Sequence, residues 1–135
     1  RGVQHKARQY GLDHMVTFRT LGISANGILP YYAEYLKTGK YGEVLDRLVE
    51  VSIKVIEEDD VSVLTSGCGA MLWLVSAAEK KLKERGYDVP FINPIPTMLE
   101  IARAFVNLGL THSKLAYPGF EWEHGSPKLV DNPQE

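Results

Sequence analysis

Residues 61–71, Val-Ser-Val-Leu-Thr-Ser-Gly-Cys-Gly-Ala-Met, decide the fold that the sequence predicts. The short apolar run Val61 to Leu64 is typical of a buried strand, and Ser66 to Gly69 form a turn with two glycines. A helix is predicted to follow, from about Ala70 to Arg85. The segment therefore predicts a strand, a turn and a helix, with Cys68 in the turn.

The chain before this segment predicts an amphipathic helix from Glu43 to Glu58. Val44, Leu48, Val51 and Val55 fall at i, i+4, i+7 and i+11, which places them on one side of a helix. This helix has a broad apolar face that can pack against a sheet.

The chain after it predicts a short strand from Pro90 to Ile92 and a third helix that ends at Gly109. Asn93 suits the N-cap of that helix, and Pro94 suits its first position, where a missing N–H costs nothing. Helices alternate with short apolar strands, which predicts an α/β fold with a parallel sheet flanked by helices.

The N-terminal third is less regular. We expect a helix over residues 3–10, a strand from His14 to Leu21, a loop from Gly22 to Pro30 and a short helix over residues 31–38. The α/β domain is predicted to cover residues 1–118. The polar, proline-containing residues 119–135 predict a mobile tail.

Composition narrows the classes of function. Apolar residues make up 44% of the chain, charged residues 24%, and the formal net charge is −2. This balance gives no electrostatic reason to expect nucleic acid or an anionic membrane as a partner. No apolar run approaches the roughly 20 residues that span a bilayer. A single cysteine cannot form an internal disulfide, so a cytoplasmic location is expected, and no metal-ligand spacing joins Cys68 to a histidine.

Cys68 is the residue with the most chemical potential. The turn that carries it lies where a strand ends and a helix begins, and open α/β sheets bind ligands at the carboxyl ends of their strands. Backbone N–H groups at a helix start favour negative charge, and therefore the thiolate, which can take up a proton. A lone cysteine is also often a small buried residue, and position by itself leaves both readings open.

Three stretches resemble the aspartate/glutamate/hydantoin racemase superfamily. Thr65 to Met71 (TSGCGAM) is similar to the cysteine motif of the second half of its members, and residues 89–118 resemble the segment that follows that motif. Gly109 to Pro118 (GLTHSKLAYP) resembles the hydantoin racemase branch in particular. The resemblance covers roughly residues 5–118.

The resemblance implies one α/β half of a two-domain, cofactor-independent isomerase, with Cys68 as an acid/base. It implies that the loop contacts the carboxylate or imide oxygens of a small-molecule substrate through backbone N–H groups, and that Met71 borders the pocket. The substrate-contacting residues implied are Thr65, Ser66, Gly67, Gly69 and Ala70, with no metal ligand.

Racemases of this superfamily use one base from each half, and the first-half loop with its cysteine has no counterpart here. We expect either that the chain is the C-terminal half of a longer protein, or that another subunit of a homo-oligomer supplies the second base. Two alternatives stay open, a single-cysteine decarboxylase of the same superfamily and an inactive ligand-binding or assembly domain.

Overall fold

The computed structural model of the chain describes residues 2–111, 120–123 and 126–129. These fall into two compact units, Arg1–Thr97 and Met98–Glu135, each of which is described by itself. The elements in chain order are α1 (Gly2–Gln9), α2 (Ala25–Thr38), α3 (Glu43–Asp59), β1 (Leu64–Thr65), a 3₁₀ turn (Gly69–Met71), α4 (Leu72–Glu84), β2 (Phe91–Ile92), α5 (Pro94–Asn107), β3 (Phe120–Glu123) and β4 (Ser126–Leu129).

The first unit contains a parallel pair of strands joined by a helical crossover. Leu64 of β1 pairs with Phe91 of β2, and Thr65 pairs with Ile92. The amide of Leu64 donates to the carbonyl oxygen of Pro90 at 2.9 Å. Because α4 connects the two strands, this is a β-α-β unit, which confirms the α/β class and the parallel pairing. The sheet has two strands.

The core of the first unit lies between α3, α4 and the two strands. Residues on the predicted apolar face of α3 are buried, and α4 contributes the largest fully buried side chains. Sequence periodicity therefore identified the packing face of α3, on which Val44, Leu48 and Val55 are buried and Val51 is half-buried. The buried apolar residues of these elements are Val44, Leu45, Leu48, Val49, Val55, Leu64, Leu74, Val75, Ala78, Leu82 and Phe91.

Polar side chains connect α3 to the C-terminal end of α4. Three pairs join α3 to the end of α4 and the turn after it: Asp46–Lys81 at 2.5 Å, Glu50–Arg85 and Glu57–Tyr87. Partner numbers rise together along both helices, so the helices run in the same direction. Parallel helices are expected where each leads into a strand of one parallel sheet.

The predicted strand from His14 to Leu21 is wrong. Residues 16–21 have no strand pairing within the described part of the chain, although they are rich in β-forming residues. Side chains hold this segment instead, since Thr17 and Arg19 both donate hydrogen bonds to the carboxylate of Asp59. A β-favouring composition alone does not make a strand without a partner for its backbone groups.

The predicted loop from Gly22 to Pro30 is also wrong in its second half, because α2 begins at Ala25. The hydroxyl of Ser24 accepts a hydrogen bond from the amide of Gly27 at 3.1 Å, and this N-cap starts the helix. Pro30 lies inside the helix, and Gly27 lies in its first turn. These two residues suggested a loop, but the cap and the buried side chain of Ile28 outweigh them.

The remaining predictions concern element ends and the C-terminal residues. The predicted helix from Ala70 starts instead as the 3₁₀ turn and becomes α-helical at Leu72.

In the second unit, β3 and β4 form an antiparallel hairpin, with Phe120 opposite Leu129. Sequence patterning did not predict this hairpin. Residues 112–119, which include most of the GLTHSKLAYP segment, lie outside the described residues, as do 124–125 and 130–135.

Candidate functional site

The candidate site begins at the carboxyl edge of the parallel pair. Thr65 ends β1 and Ile92 ends β2, and the Thr65 hydroxyl donates a hydrogen bond to the carbonyl oxygen of Ile92 at 3.2 Å. Residues 66–70, here termed the Cys68 loop, leave this edge next to Asn93. The Asn93 side chain accepts a hydrogen bond from the amide of Ile95 at 3.2 Å, which confirms its predicted role as a helix cap.

Cys68 lies at the start of the 3₁₀ turn and is a free, half-buried thiol. Its backbone is extended, with φ −143° and ψ 133°, and its carbonyl oxygen accepts from the amide of Met71 at 3.2 Å. The thiol is thus neither enclosed in the core nor fully in solvent. Partial exposure of this kind is the setting in which a cysteine can meet a ligand.

Ser66 holds the backbone of Cys68. The side chain of Ser66 is buried, its hydroxyl donates to the carbonyl oxygen of Cys68 at 2.8 Å, and it accepts from the amide of Cys68 at 3.3 Å. A serine hydroxyl can donate once and accept twice, so its donor is already used. The resemblance implies substrate contact through the backbone N–H groups of the loop, and the Ser66 hydroxyl has a separate role, since it holds the backbone of Cys68.

The glycines on either side of Cys68 have open space around them. A Cβ placed at Gly67 or Gly69 would meet nothing within 4 Å, and neither residue has the positive φ that favours glycine. The backbone amides of Gly67, Gly69 and Ala70 donate no hydrogen bond to any other residue that the structure describes. Three N–H donors are therefore available within two residues of the thiol.

The last two residues of the predicted site have structural contacts. The carbonyl oxygen of Ala70 accepts a hydrogen bond from the indole Nε1 of Trp73 at 2.9 Å. Met71, expected to border the pocket, is half-buried and packs against the core. The structure therefore brings the predicted residues together on one loop, with Cys68 and three free amides as its chemically available groups.

An aromatic cluster lies beside this loop. It is formed by Tyr32 and Tyr35 of α2, Tyr41 and Trp73. The Trp73 ring centroid lies 5.5 Å from that of Tyr32, 5.0 Å from that of Tyr35 and 5.8 Å from that of Tyr41. A hydrogen bond with Tyr35, and then burial, raise the pKa of Tyr41 above its ordinary value, so this phenol is uncharged at neutral pH.

Sequence reasoning found part of this cluster and missed the rest. The spacing of Tyr31, Tyr32 and Tyr35 in the sequence is compatible with residues that line a substrate mouth and is more often that of core packing. Tyr41 and Trp73 carry no sequence signal that they meet these tyrosines. Trp73 is five residues after Cys68, so a check of large aromatics close to the motif could have singled it out. Tyr31 lies apart, because its hydroxyl donates to Glu43 at 2.7 Å, which raises the pKa of Tyr31.

The structure has a small hollow, but it lies away from the Cys68 loop. A small hollow of about 110 Å³ is lined by residues of α1 and of the segment after it, such as Arg8 and Phe18, and not by the Cys68 loop. Across residues 2–111 and the two hairpin strands, no three His, Cys, Asp or Glu residues are grouped as metal ligands. None of the helices described here has the length and apolar content to cross a bilayer.

Comparisons with known proteins do not assign the chain to a family. The chain matches no family model, no curated protein and no solved structure.

Proposed function

We propose that the chain is one α/β half of a cofactor-independent racemase or epimerase, in which Cys68 exchanges the α-proton of an amino acid or of a hydantoin-type derivative. The proposal combines the resemblance of residues 65–71 to the aspartate/glutamate/hydantoin racemase superfamily with the geometry of the loop. It assigns the chain to the isomerases and gives it a small-molecule substrate with carboxylate or imide oxygens.

The observation that carries the proposal is the combination of a half-buried free thiol with three free amides. Cys68 is at the carboxyl edge of parallel strands, where α/β proteins bind ligands. The amides of Gly67, Gly69 and Ala70 can donate to a carboxylate or imide oxygen, and no side chain at either glycine blocks the approach. A base beside a cluster of N–H donors is the arrangement that enolate chemistry needs.

The proposed reaction is a proton exchange at carbon. The Cys68 thiolate removes the α-proton and becomes a thiol, while the C–H electron pair moves into the adjacent carbonyl to give an enolate. The loop amides stabilise the enolate oxygen as its charge develops. An acid on the opposite face returns a proton to the α-carbon, which inverts the configuration, and the two groups exchange roles in the reverse direction.

The second acid/base is proposed to come from outside this chain. The chain has one cysteine, so a two-thiol exchange requires either a second copy in a homo-oligomer or another half of a longer protein. A reducing, cytoplasmic setting, which keeps a single thiol free, completes the proposal.

The single thiol also supports a second candidate, a decarboxylase of the same superfamily. There, loss of CO₂ from a carboxylated substrate generates the enolate, and Cys68 as a thiol protonates one face. This reaction needs one acid rather than two. The third reading, an inactive ligand-binding or assembly domain, requires no reaction at Cys68.

The experiment is a turnover assay of the full chain in D₂O with one enantiomer of a 5-substituted hydantoin, with one enantiomer of the matching amino acid, and with an achiral α,α-disubstituted malonate. A racemase predicts loss of optical rotation with deuterium at the α-carbon and no CO₂ from the first two compounds. Release of CO₂ from the malonate, with one deuterium in the product, would favour the decarboxylase and overturn the racemase. No change in any substrate would overturn the racemase in which a second copy of this chain supplies the other base, and would favour the inactive domain.

A further inference from the structure

The aromatic cluster of Tyr32, Tyr35, Tyr41 and Trp73 has no part in the proposed proton transfer. Tyr35, Tyr41 and Trp73 are half-buried, whereas Tyr32 is 38% exposed. Tyr32 is therefore the member of the cluster whose ring is available to a ligand, with Trp73 at 5.5 Å behind it.

The cluster is physically tied to the Cys68 loop. The indole of Trp73 donates to the carbonyl oxygen of Ala70, two residues after Cys68, so its polar edge stays at the loop. Consecutive Cα atoms are 3.8 Å apart, so Ala70 lies at most about 8 Å from Cys68. α2, which carries Tyr32, packs against the 3₁₀ turn that follows the thiol. A substrate held at Cys68 therefore has an aromatic surface as a near neighbour.

The tyrosine hydroxyls show which rings have structural partners. Tyr31 donates to Glu43 and Tyr87 donates to Glu57, so both phenols tie helices together. The hydroxyl of Tyr32 forms no hydrogen bond with any residue in the described ranges. The rings of Tyr32 and Trp73 are tilted by 49° to each other, and Tyr35 stacks on Tyr32 at a centroid distance of 6.5 Å. The exposed part of the Tyr32 ring is the surface that remains for an aromatic ligand.

We propose that Tyr32 and Trp73 are specificity-determining residues that favour substrates whose α-substituent is an aromatic ring over those with an aliphatic one. The proposal rests on the proposed function for the identity of the substrate and deepens it by naming the substituent. An added aromatic contact strengthens binding by about 3- to 10-fold, in addition to the effect of the apolar area that it buries.

Ligand titration monitored by tryptophan fluorescence tests this surface. The chain has two tryptophans, so a Trp122→Phe background leaves Trp73 as the single reporter. The probes are 5-benzylhydantoin and 5-isobutylhydantoin. Tyr32→Leu removes the exposed ring, Tyr32→Phe retains it, and Tyr10→Leu is the matched control at a 68% exposed tyrosine outside the cluster.

We expect Tyr32→Leu to weaken 5-benzylhydantoin binding by about 3- to 10-fold and to change 5-isobutylhydantoin binding by less than 2-fold. Tyr32→Phe and Tyr10→Leu should retain the affinity for both. An equal loss for both probes in Tyr32→Leu would show a merely structural role and overturn the inference. Fluorescence that does not respond to 5-benzylhydantoin would overturn it as well.

Aromatic binding at Tyr32 and proton exchange at Cys68 are measured independently. If 5-benzylhydantoin binds beside Trp73 but shows no α-deuterium uptake, the aromatic site stands and the racemase does not. If both hydantoins exchange their α-proton with equal efficiency and Tyr32→Leu changes neither, the racemase stands and the aromatic preference is wrong.

Discussion

The hydroxyl of Ser66 hydrogen-bonds both backbone polar groups of Cys68, donating to its carbonyl oxygen at 2.8 Å and accepting from its amide at 3.3 Å. Ser66 is 8% exposed, so these bonds are largely removed from water. One buried side chain thus sets the backbone conformation of the residue proposed to move the proton.

Substitution Ser66→Ala is expected to affect both stability and turnover. Loss of the hydroxyl leaves the amide of Cys68 without its partner and its carbonyl oxygen with the bond from Met71 alone, which lowers the free energy of unfolding by about 1–3 kcal/mol. We expect kcat to fall while KM changes by less than about 2-fold, since an interaction that positions the base acts in the transition state. Ser76→Ala, which removes an exposed hydroxyl of α4 outside the site, should change the free energy of unfolding by less than about 0.5 kcal/mol and leave kcat unchanged. Equal effects of the two variants would contradict a positioning role.

Substitutions Gly67→Ala and Gly69→Ala test whether the two glycines serve substrate binding, measured by KM, or the stability of the fold. Neither position has a positive φ or a neighbour within 4 Å of an added Cβ, so each variant should be as stable as the wild type or up to about 1 kcal/mol more stable. If these residues let a substrate reach the loop amides, KM should rise. Urea unfolding and substrate kinetics measure the two effects. Unchanged kinetics in both variants would remove the glycines from the site.

The core between α3 and α4 predicts that a buried and an exposed leucine contribute very differently to the free energy of unfolding. Leu82 has no exposed surface, whereas Leu36 of α2 is 66% exposed. Leu82→Ala should lower the free energy of unfolding by about 2–5 kcal/mol through lost burial and a residual cavity. Leu36→Ala should stay within about 0.5 kcal/mol of the wild type. Denaturant unfolding of the two variants checks the packing, and similar losses would contradict it.

The contact between Arg19 and Asp59 predicts an acid dependence of stability. A hydrogen bond from Arg19 lowers the pKa of Asp59 below its ordinary value of 3.8. Partial desolvation opposes this effect, and a hydrogen bond from Thr17 reinforces it. A lowered folded-state pKa stabilises the fold above pH 3.8, and this contribution is lost as the pH falls through the folded-state value.

Asp59→Asn should therefore lower the free energy of unfolding at pH 7 and reduce its decline below about pH 4. Unfolding curves at a series of pH values measure this slope. Glu34→Gln, at an exposed carboxylate with no ion pair in the described part of the chain, is the control and should keep the wild-type slope. A wild-type slope in Asp59→Asn would show that Asp59 does not hold residues 17–19 in place.

Local patterns predicted the elements that contain the site. Apolar spacing predicted α3, and Asn93-Pro94 predicted the start of α5. The run Val61 to Leu64 predicted a strand, of which Leu64 alone lies in β1 (Leu64–Thr65). Each of these signals lies within a few residues of the element it predicts, because caps, turns and periodic faces are local physics. The position of Cys68 between a strand and a helix followed from them.

Non-local contacts explain what the sequence did not predict. Residues 16–21 are held by a carboxylate about 40 positions away rather than by a strand. Tyr32 and Trp73 meet across α2 and α4, and no pattern in either helix indicates that contact. The hydrogen bonds of the Ser66 hydroxyl to Cys68 were not predicted either, because a motif does not indicate which backbone groups a serine side chain will reach.

The central claim is that the sulfur of Cys68 carries the exchanged proton, and deuterium wash-in to recovered substrate measures this directly. Cys68→Ser should reduce the rate of α-deuterium uptake from D₂O by about 10²- to 10⁴-fold, the range for loss of a general base. Ser62→Ala, an exposed hydroxyl six residues earlier, should retain the wild-type rate. Equal uptake by Cys68→Ser and the wild-type chain would contradict the account.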